Sequence, residues 1–524
     1  MDKIHPMVQS IVVRDGRFID MGTMADMMLQ WGRADTEVID LQGKTVTPGL
    51  IESHVHIGGV AMNFLNVDVT GVQSKKEMLE KIKERASTLR PDEWLIGRGW
   101  DENLFTDSTI PTIEELDYVA PHCPLFIQRI CCHAALVNSK ALEICGYQPS
   151  MAVPEGGTVV LDERTGKPNG LLLESASELV KKYIPEKSYS EIKHAVRQAV
   201  HFTMEKGLTS AHTNDPTFLN GFYQTYQIYD ELINQEKLGL RCNLLIDYMY
   251  MKDLWESGMY AGYGNEYLQI GAVKIFADGA LGRRTALLSS PYHDDPTRVG
   301  DAMMDQATLY SIVHEARKLS MPIAVHTIGD LALENVLNIL DQFPAVSYRD
   351  RLIHAQVLRE DLIPRLVSPN RIVDIQPRFI VGDFPWVQER LGESRIKLSY
   401  AWKTLLDAGV ICAGGSDAPV EPIDPLLGIH AAVTRKAPGQ SHDGWNPSEK
   451  LTMDEAVRLF TVGGAYATNE EQFKGTISRG KFADMTVFSK NIFELEHPDE
   501  LLTTKVEKTI IAGKVVFEKG RDTN

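Results

Sequence analysis

Two histidines separated by one residue, His54 and His56 in "GLIESHVHIGG", stand at the end of an apolar run. Alternate residues of a strand project to the same face, so the two imidazoles leave on one side. They can share a divalent cation there, or form an ordinary surface pair at a strand end. Four more residues with ligand chemistry sit at or near the ends of later apolar runs: Lys274 in "AVKIFADG", His326 in "IAVHTIGD", His354 in "RLIHAQV" and Asp417 in "AGGSDAP". Singly, each has a plainer role. A histidine after an apolar strand is commonly a hydrogen-bonded core residue, Asp417 can cap a turn, and a lysine in an apolar strand can be ion-paired. Five of the six are ordinary ligands for a borderline metal such as zinc. Together they point to a centre of Zn2+ or another divalent metal. Such a centre lowers the pKa of a bound water to about 7 and polarises a carbonyl. Asp417, at its edge, is placed to take the proton of that water and pass it on.

These residues need a scaffold that brings strand ends together. The runs "TVTPGLIES", "GLTSAHTN", "LRCNLLIDYM", "LQIGAVKIFAD", "MPIAVHTIG", "RLIHAQVL", "IVDIQPRF" and "VICAGGSDAP" read as eight strands. Helical patterns, for example 306–319, 331–342 and 452–466, separate most of them. Strand and helix in alternation predict an α/β chain built on a (β/α)8 TIM barrel, whose sites lie at the C-terminal ends of its strands. The second strand begins only near residue 207, so residues 60–190 are expected as a small α/β insertion at the barrel mouth. The first 48 residues and the last fifty read as short strands and turns. Each end is too small to hold a core alone, so 1–48 and 470–524 are expected to form one β-sandwich or small barrel around a 49–469 barrel domain.

Composition narrows the partners. The chain has 524 residues, 43% of them hydrophobic, and a formal net charge of -17. That excess of acid, without a basic run, argues against a nucleic-acid or anionic membrane surface. No segment has the apolar length of a transmembrane helix. The start, "MDKIHPMVQSIVVRDGRF", carries charges inside every apolar segment and reads as neither signal nor targeting peptide. Six sparse cysteines read as reduced thiols of a cytoplasmic protein. The expected partners are a small-molecule substrate and a second copy in a homodimer.

The segments "VTPGLIESHVH", "VKIFADGALGRRTA", "IAVHTIGD", "LIHAQV", "GGSDAPV" and "GTISRGKFADMTVF" resemble, in order and nearly end to end, the amidohydrolase superfamily. The similarity is to its branch with a large insertion after the first strand, which includes N-substituted formamide deformylases. The resemblance implies a barrel with one or two divalent metals, His54 and His56 on the first and His326 and His354 on the second. Asp417 would touch the first, and Lys274 would bridge the pair as a carbamate. An apolar strand can keep that amine neutral, and a neutral amine takes up carbon dioxide. The implied activity is hydrolysis of an amide-like C–N bond. A single-metal deaminase of the same fold is the alternative, although such enzymes place a glutamate where this chain has Gly329. A scaffold protein that has lost its metals is a third.

Substrate contacts are expected from loops. Arg283 or Arg284, in the Gly-rich "DGALGRRTALLSSPY", can hold a carbonyl or carboxylate. Trp100, with Arg98 and Asp101 in "GRGWDE", and His133 in "CCHAALVNS" lie in the insertion, where a lid would arise. Phe384 and Trp386 in "DFPWVQ" can line an apolar pocket. His212, ending the second strand, can reach the metal cavity without being a ligand.

Overall fold

A computed structural model describes residues 7–106, 109–131, 133–148 and 151–521. The described chain divides into two compact units. One joins the residues up to Val60 with those from Ala199 onward; the other is Ala61–Gln198.

The first unit is built on eight parallel strands, β1 (Leu50–Val55), β2 (Leu208–Thr213), β3 (Arg241–Asp247), β4 (Leu268–Phe276), β5 (Ile323–Thr327), β6 (Asp350–His354), β7 (Arg371–Ile375) and β8 (Cys412–Gly414). They are neighbours in chain order, each paired in parallel with the next. Strands covered on both faces are apolar almost throughout, which is why polar residues on them stand out. β8 is short, and the sheet closes beyond it by hydrogen bonds of the following loop: Asp417 N–H donates to the His54 carbonyl at 2.8 Å and His56 N–H to Ala418 at 2.8 Å. This is the TIM-type barrel expected from the strand pattern.

The helices between strands carry the capping chemistry their sequences provide. Gln306–Lys318 starts at Asp305, whose carboxylate accepts the Thr308 N–H. The helix expected over 452–466 begins with a Thr452/Glu455 capping box at Met453–Arg458, but continues as a π-helical segment, Leu459–Gly463, before Gly464–Ala467. Its two glycines lie where a Cβ would overlap the Cys412 carbonyl and the Ile51 side chain.

Both termini contribute to one antiparallel sheet, ordered Lys514–Glu518, Val506–Ile511, Met485–Phe488, Thr45–Pro48. A hairpin, Ser10–Arg14 with Arg17–Gly22, shares its core of Phe18, Ala483, Met485, Val487 and Ile510. Arg241, at the start of β3, clamps Asp484 with two buried hydrogen bonds of 2.7 and 3.1 Å. Thr45–Pro48 and β1, read in the sequence as one strand, are separated at Gly49, where a Cβ would overlap the Thr209 side chain. The N-terminal region also holds a helix, Met24–Trp31, where the sequence reading gave only strands and turns; Thr23 caps it by accepting the Asp26 N–H.

The unit Ala61–Gln198 is a six-stranded mixed sheet, ordered Val67–Asp68, Leu95–Trp100, Leu125–Arg129, Ala134–Val137, Pro168–Leu173, Thr158–Leu161. Two apolar clusters serve it, one containing Met78, Ile82, Leu95 and Leu116 and the other Phe126, Val137, Leu142 and Leu172. Among the described residues, no helix is long and apolar enough to cross a membrane.

Candidate active site

The strand ends bring all six ligand candidates to one end of the barrel. His54 lies in β1 and His56 one residue past it, and both reach the same oxygen: their Nε2 atoms stand 3.3 and 3.2 Å from Asp417 Oδ1. His354 Nε2 lies 4.0 Å from Asp417 Oδ2. The His326 and His354 rings are 4.4 Å apart, and those of His54 and His354 5.8 Å. Lys274 is fully buried in β4, and Asp417 acts most strongly among the charges upon it. His54, His354 and Asp417 offer ligand atoms within 4.8 Å of one another.

Three of the histidines have one ring nitrogen tied back to the protein. His56 Nδ1 donates to the Asn214 carbonyl at 2.5 Å, and His326 Nε2 to the Gly279 carbonyl at 3.0 Å. His354 Nδ1 meets Gln376 Oε1 at 2.7 Å. Such contacts fix tautomer and ring orientation, leaving the opposite nitrogen as an electron-pair donor. Burial drives His54 down to about 3, His326 to about 4 and His354 well below its ordinary value, so these three are neutral. At His56 burial opposes the charged form, but the hydrogen bond and charge of Asp417 carry it above its ordinary value. Burial alone would raise Asp417; the surrounding histidines, His54 first, hold it well below the carboxylate range. Burial lowers Lys274 to about 8.

The centre fits a divalent metal. Lys274 Nζ and His54 Nδ1 are buried without a hydrogen-bond partner, although buried polar atoms in folded proteins are nearly always paired. Neutral imidazoles around a carboxylate form a donor set typical of zinc-like ions. Two of these residues also hold left-handed backbone, His354 at φ 79° and Asp417 at φ 56°. Non-glycine residues take that conformation at a cost of about 1–3 kcal/mol, and such strain gathers at functional sites.

Several residues at this end went unread in the sequence. Glu52, fully buried and two positions before His54, accepts the His54 N–H at 3.0 Å and the Ser416 N–H at 2.9 Å through Oε1. One carboxyl thus staples β1 to the loop carrying Asp417, and burial raises it to about 8. Its signal was present, since Glu52, His54 and His56 occupy one face of β1. Asp278 accepts the N–H groups of Leu287, Ile328 and Gly329 at 2.8–3.0 Å, tying the Gly-rich loop to the end of β5; burial raises it to about 7. Asp247, at the end of β3, meets Asn214 Nδ2 at 3.2 Å.

The expected substrate contacts fare differently. Trp100 is 2% exposed in a core cluster of its own unit, with its indole N–H on the Ile127 carbonyl at 3.2 Å. His212 is wholly buried inside the barrel, near Arg351, Lys474 and His54, and both its ring nitrogens lack a hydrogen-bond partner. His133 is exposed and bonded to Glu174 at 2.8 Å. Asp101 pairs with Arg129 at 2.9 Å, and Arg98 is exposed. Arg283 is exposed on the loop after β4, whereas Arg284 pairs with Asp294 at 2.9 Å. Phe384 stacks on Trp445 at 5.0 Å, and the Trp386 indole donates to the Gly382 carbonyl.

Comparison with known proteins agrees with this geometry. The amidohydrolase family model matches residues 37–517. The chain belongs to the amidohydrolase family. It is 40% identical to YtcJ of Bacillus subtilis (strain 168) over 513 residues, 98% of this chain and 96% of that one. It is 26% identical to N-substituted formamide deformylase of Arthrobacter pascens, over 99% of this chain and 96% of that one. An uncharacterized metal-dependent hydrolase from Pyrococcus furiosus superposes with a TM-score of 0.73 and 29% identity, covering 92% of this chain and 95% of that one.

Proposed function

We propose that this protein hydrolyses an amide-like C–N bond, with His54, His56, His326, His354 and Asp417 holding one or two divalent ions, zinc foremost, and Lys274 carboxylated as a shared oxygen ligand. The observation that carries the reading is the convergence of both β1 histidines on Asp417 Oδ1, beside the unpartnered Lys274 amine. When bound, a divalent ion supplies Lewis acidity toward a water and a carbonyl oxygen. Asp417, held ionised among the histidines, accepts the proton of the attacking water and returns it to the leaving nitrogen. Glu52 fixes the backbone on both sides of that carboxylate, and Asn214, Gly279 and Gln376 fix the rings.

The deaminase alternative fits less well. Position 329, where such an enzyme carries a glutamate, has no room for a side chain: a Cβ there would overlap the Leu287 carbonyl, and the Gly329 N–H is held by Asp278. The scaffold alternative conflicts with a ligand set in which three of the four histidines keep an orienting bond. The named activity of the Arthrobacter pascens relative makes N-substituted formamides the first compounds to try. Purified protein of measured metal content should be assayed on N-formyl, N-acyl and cyclic amides. The expected result is hydrolysis of at least one class, abolished by chelation and restored by a divalent ion. Metal-loaded protein that deaminates, or turns over no amide, would overturn the proposal.

A further inference from the structure

Five carboxyl groups outside the ligand set border the centre, and three of them have both oxygens engaged. Glu52 accepts two backbone N–H groups and Asp278 three. Asp215 accepts from Gly58, Thr213 and Tyr229 at 2.8, 2.7 and 2.6 Å. Asp374 holds Arg351 at 2.7 Å with one oxygen; its other oxygen has no partner but belongs to a side chain with no exposed surface, against 4% for Asp247. Asp247 differs. Its one side-chain hydrogen-bond partner among the described residues is Asn214, which meets Oδ2 alone.

Its position is suggestive of substrate. Asp247 is the last residue of β3 and stands in register with Lys274 on β4. Cross-strand partners project to the same face, so its carboxylate faces the same interior as the Lys274 amine. Lys274 and His56 both act on its charge. Through Asn214, whose carbonyl holds His56, it is fixed from the opposite side as well. It is thus an oriented acceptor beside the ligand set, with an oxygen that no side chain takes.

Resting on the amide reading above, we propose that Asp247 is a specificity-determining residue that accepts the N–H of the scissile amide, making secondary amides the preferred substrate class. An amide entering the site presents two polar groups. Its carbonyl oxygen is drawn to the electrophilic centre, and its N–H then needs an acceptor in a place where water is scarce. A buried donor left without one costs far more than a solvated one. Asp247 supplies that acceptor, orienting the nitrogen for the proton returned by Asp417. A tertiary amide has no proton to give and leaves the carboxylate facing an alkyl group.

The test compares kcat/KM for a secondary amide with that for its N-methyl analogue, in wild type and in Asp247→Asn, with metal content measured for both proteins. A hydrogen bond to a charged group corresponds to a preference of about 10–100-fold for the secondary amide in wild type. In Asp247→Asn that ratio should fall toward one while the metal stays at wild-type stoichiometry. The change in the ratio separates hydrogen bonding from the bulk of the N-methyl group. Equal kcat/KM for the two amides in wild type overturns the inference and needs no variant, and so does a wild-type ratio in Asp247→Asn. Those outcomes leave the amide reading standing; metal-loaded wild type inert toward both amides overturns that reading, and this inference with it.

Discussion

Two buried polar side chains show how differently the units of this protein use polarity. In the unit Ala61–Gln198, Asn138 is 1% exposed and uses its amide fully: Oδ1 accepts from Leu125 and Ala141, and Nδ2 donates to Ala120 and Cys123, all within 2.9–3.1 Å. In the barrel, Lys274 is as deeply buried and has no hydrogen-bond partner. The first arrangement is that of a structural residue, because a satisfied polar group costs little to bury and fixes the chain around it. The second is stable only if something else completes it. The same contrast separates Trp100, whose indole N–H is bonded inside its core, from His54, whose Nδ1 is bonded to nothing. Polar burial marks function where the partners are missing.

The severest break of this comparison is removal of its polar side. Replacing His54 and His56 together with alanine takes away two of the three nitrogens nearest Asp417. Bound metal and hydrolysis should disappear together, as read by elemental analysis and assay. Full metal occupancy in that double variant would contradict the ligand set.

Asp417→Asn sharpens the comparison without dismantling it. The amide keeps an oxygen near the histidines but loses the basic carboxylate, so metal should remain while kcat falls by about 10²–10⁴-fold, with KM changing less. The histidines hold the folded carboxyl well below its ordinary value against the effect of burial. Its basic form is therefore present through neutral pH and is lost only as pH falls through that depressed value. The acidic limb assigned to this group should weaken in the variant. Near-normal kcat with an unchanged pH profile would name another base.

The opposite side of the comparison predicts a smaller, purely structural effect. Asn138→Ala leaves buried backbone groups unpaired and removes the cap of helix Ser139–Ile144, at a cost of about 2–4 kcal/mol. A lowered Tm with unchanged metal content is expected; metal loss at retained stability would show that the two units are not independent in this sense.

The proposed ligand set was legible in the sequence because each member interrupts or ends an apolar strand, and a barrel collects strand ends. Glu52 was equally visible on the face of β1 that carries His54 and His56, but what it holds, the Ser416 N–H, lies on a loop some 360 positions away. Asp247 at the end of β3 and Asp278 after β4 are ordinary strand-end carboxylates until their partners are known. The insertion was least legible. "GRGWDE" has the composition of a binding loop, yet its strand, Leu95–Trp100, alternates in burial only as far as Gly99 and then shifts register, which puts the indole in the core. The helix Met24–Trp31 is short, eight residues of mostly helix-favouring type after the Thr23 cap, and it lies between segments that read as strands.

The central claim, that these six side chains form a metal centre, is tested most directly by anomalous diffraction from crystals of the purified protein at the absorption edge of its resident metal. The account predicts one or two peaks at the end of the barrel, contacted by His54 and His56 through Nε2 and by Asp417, with continuous density joining Lys274 to any second ion. A metal bound elsewhere in the protein, with His54, His56 and Asp417 in contact only with one another, would contradict it.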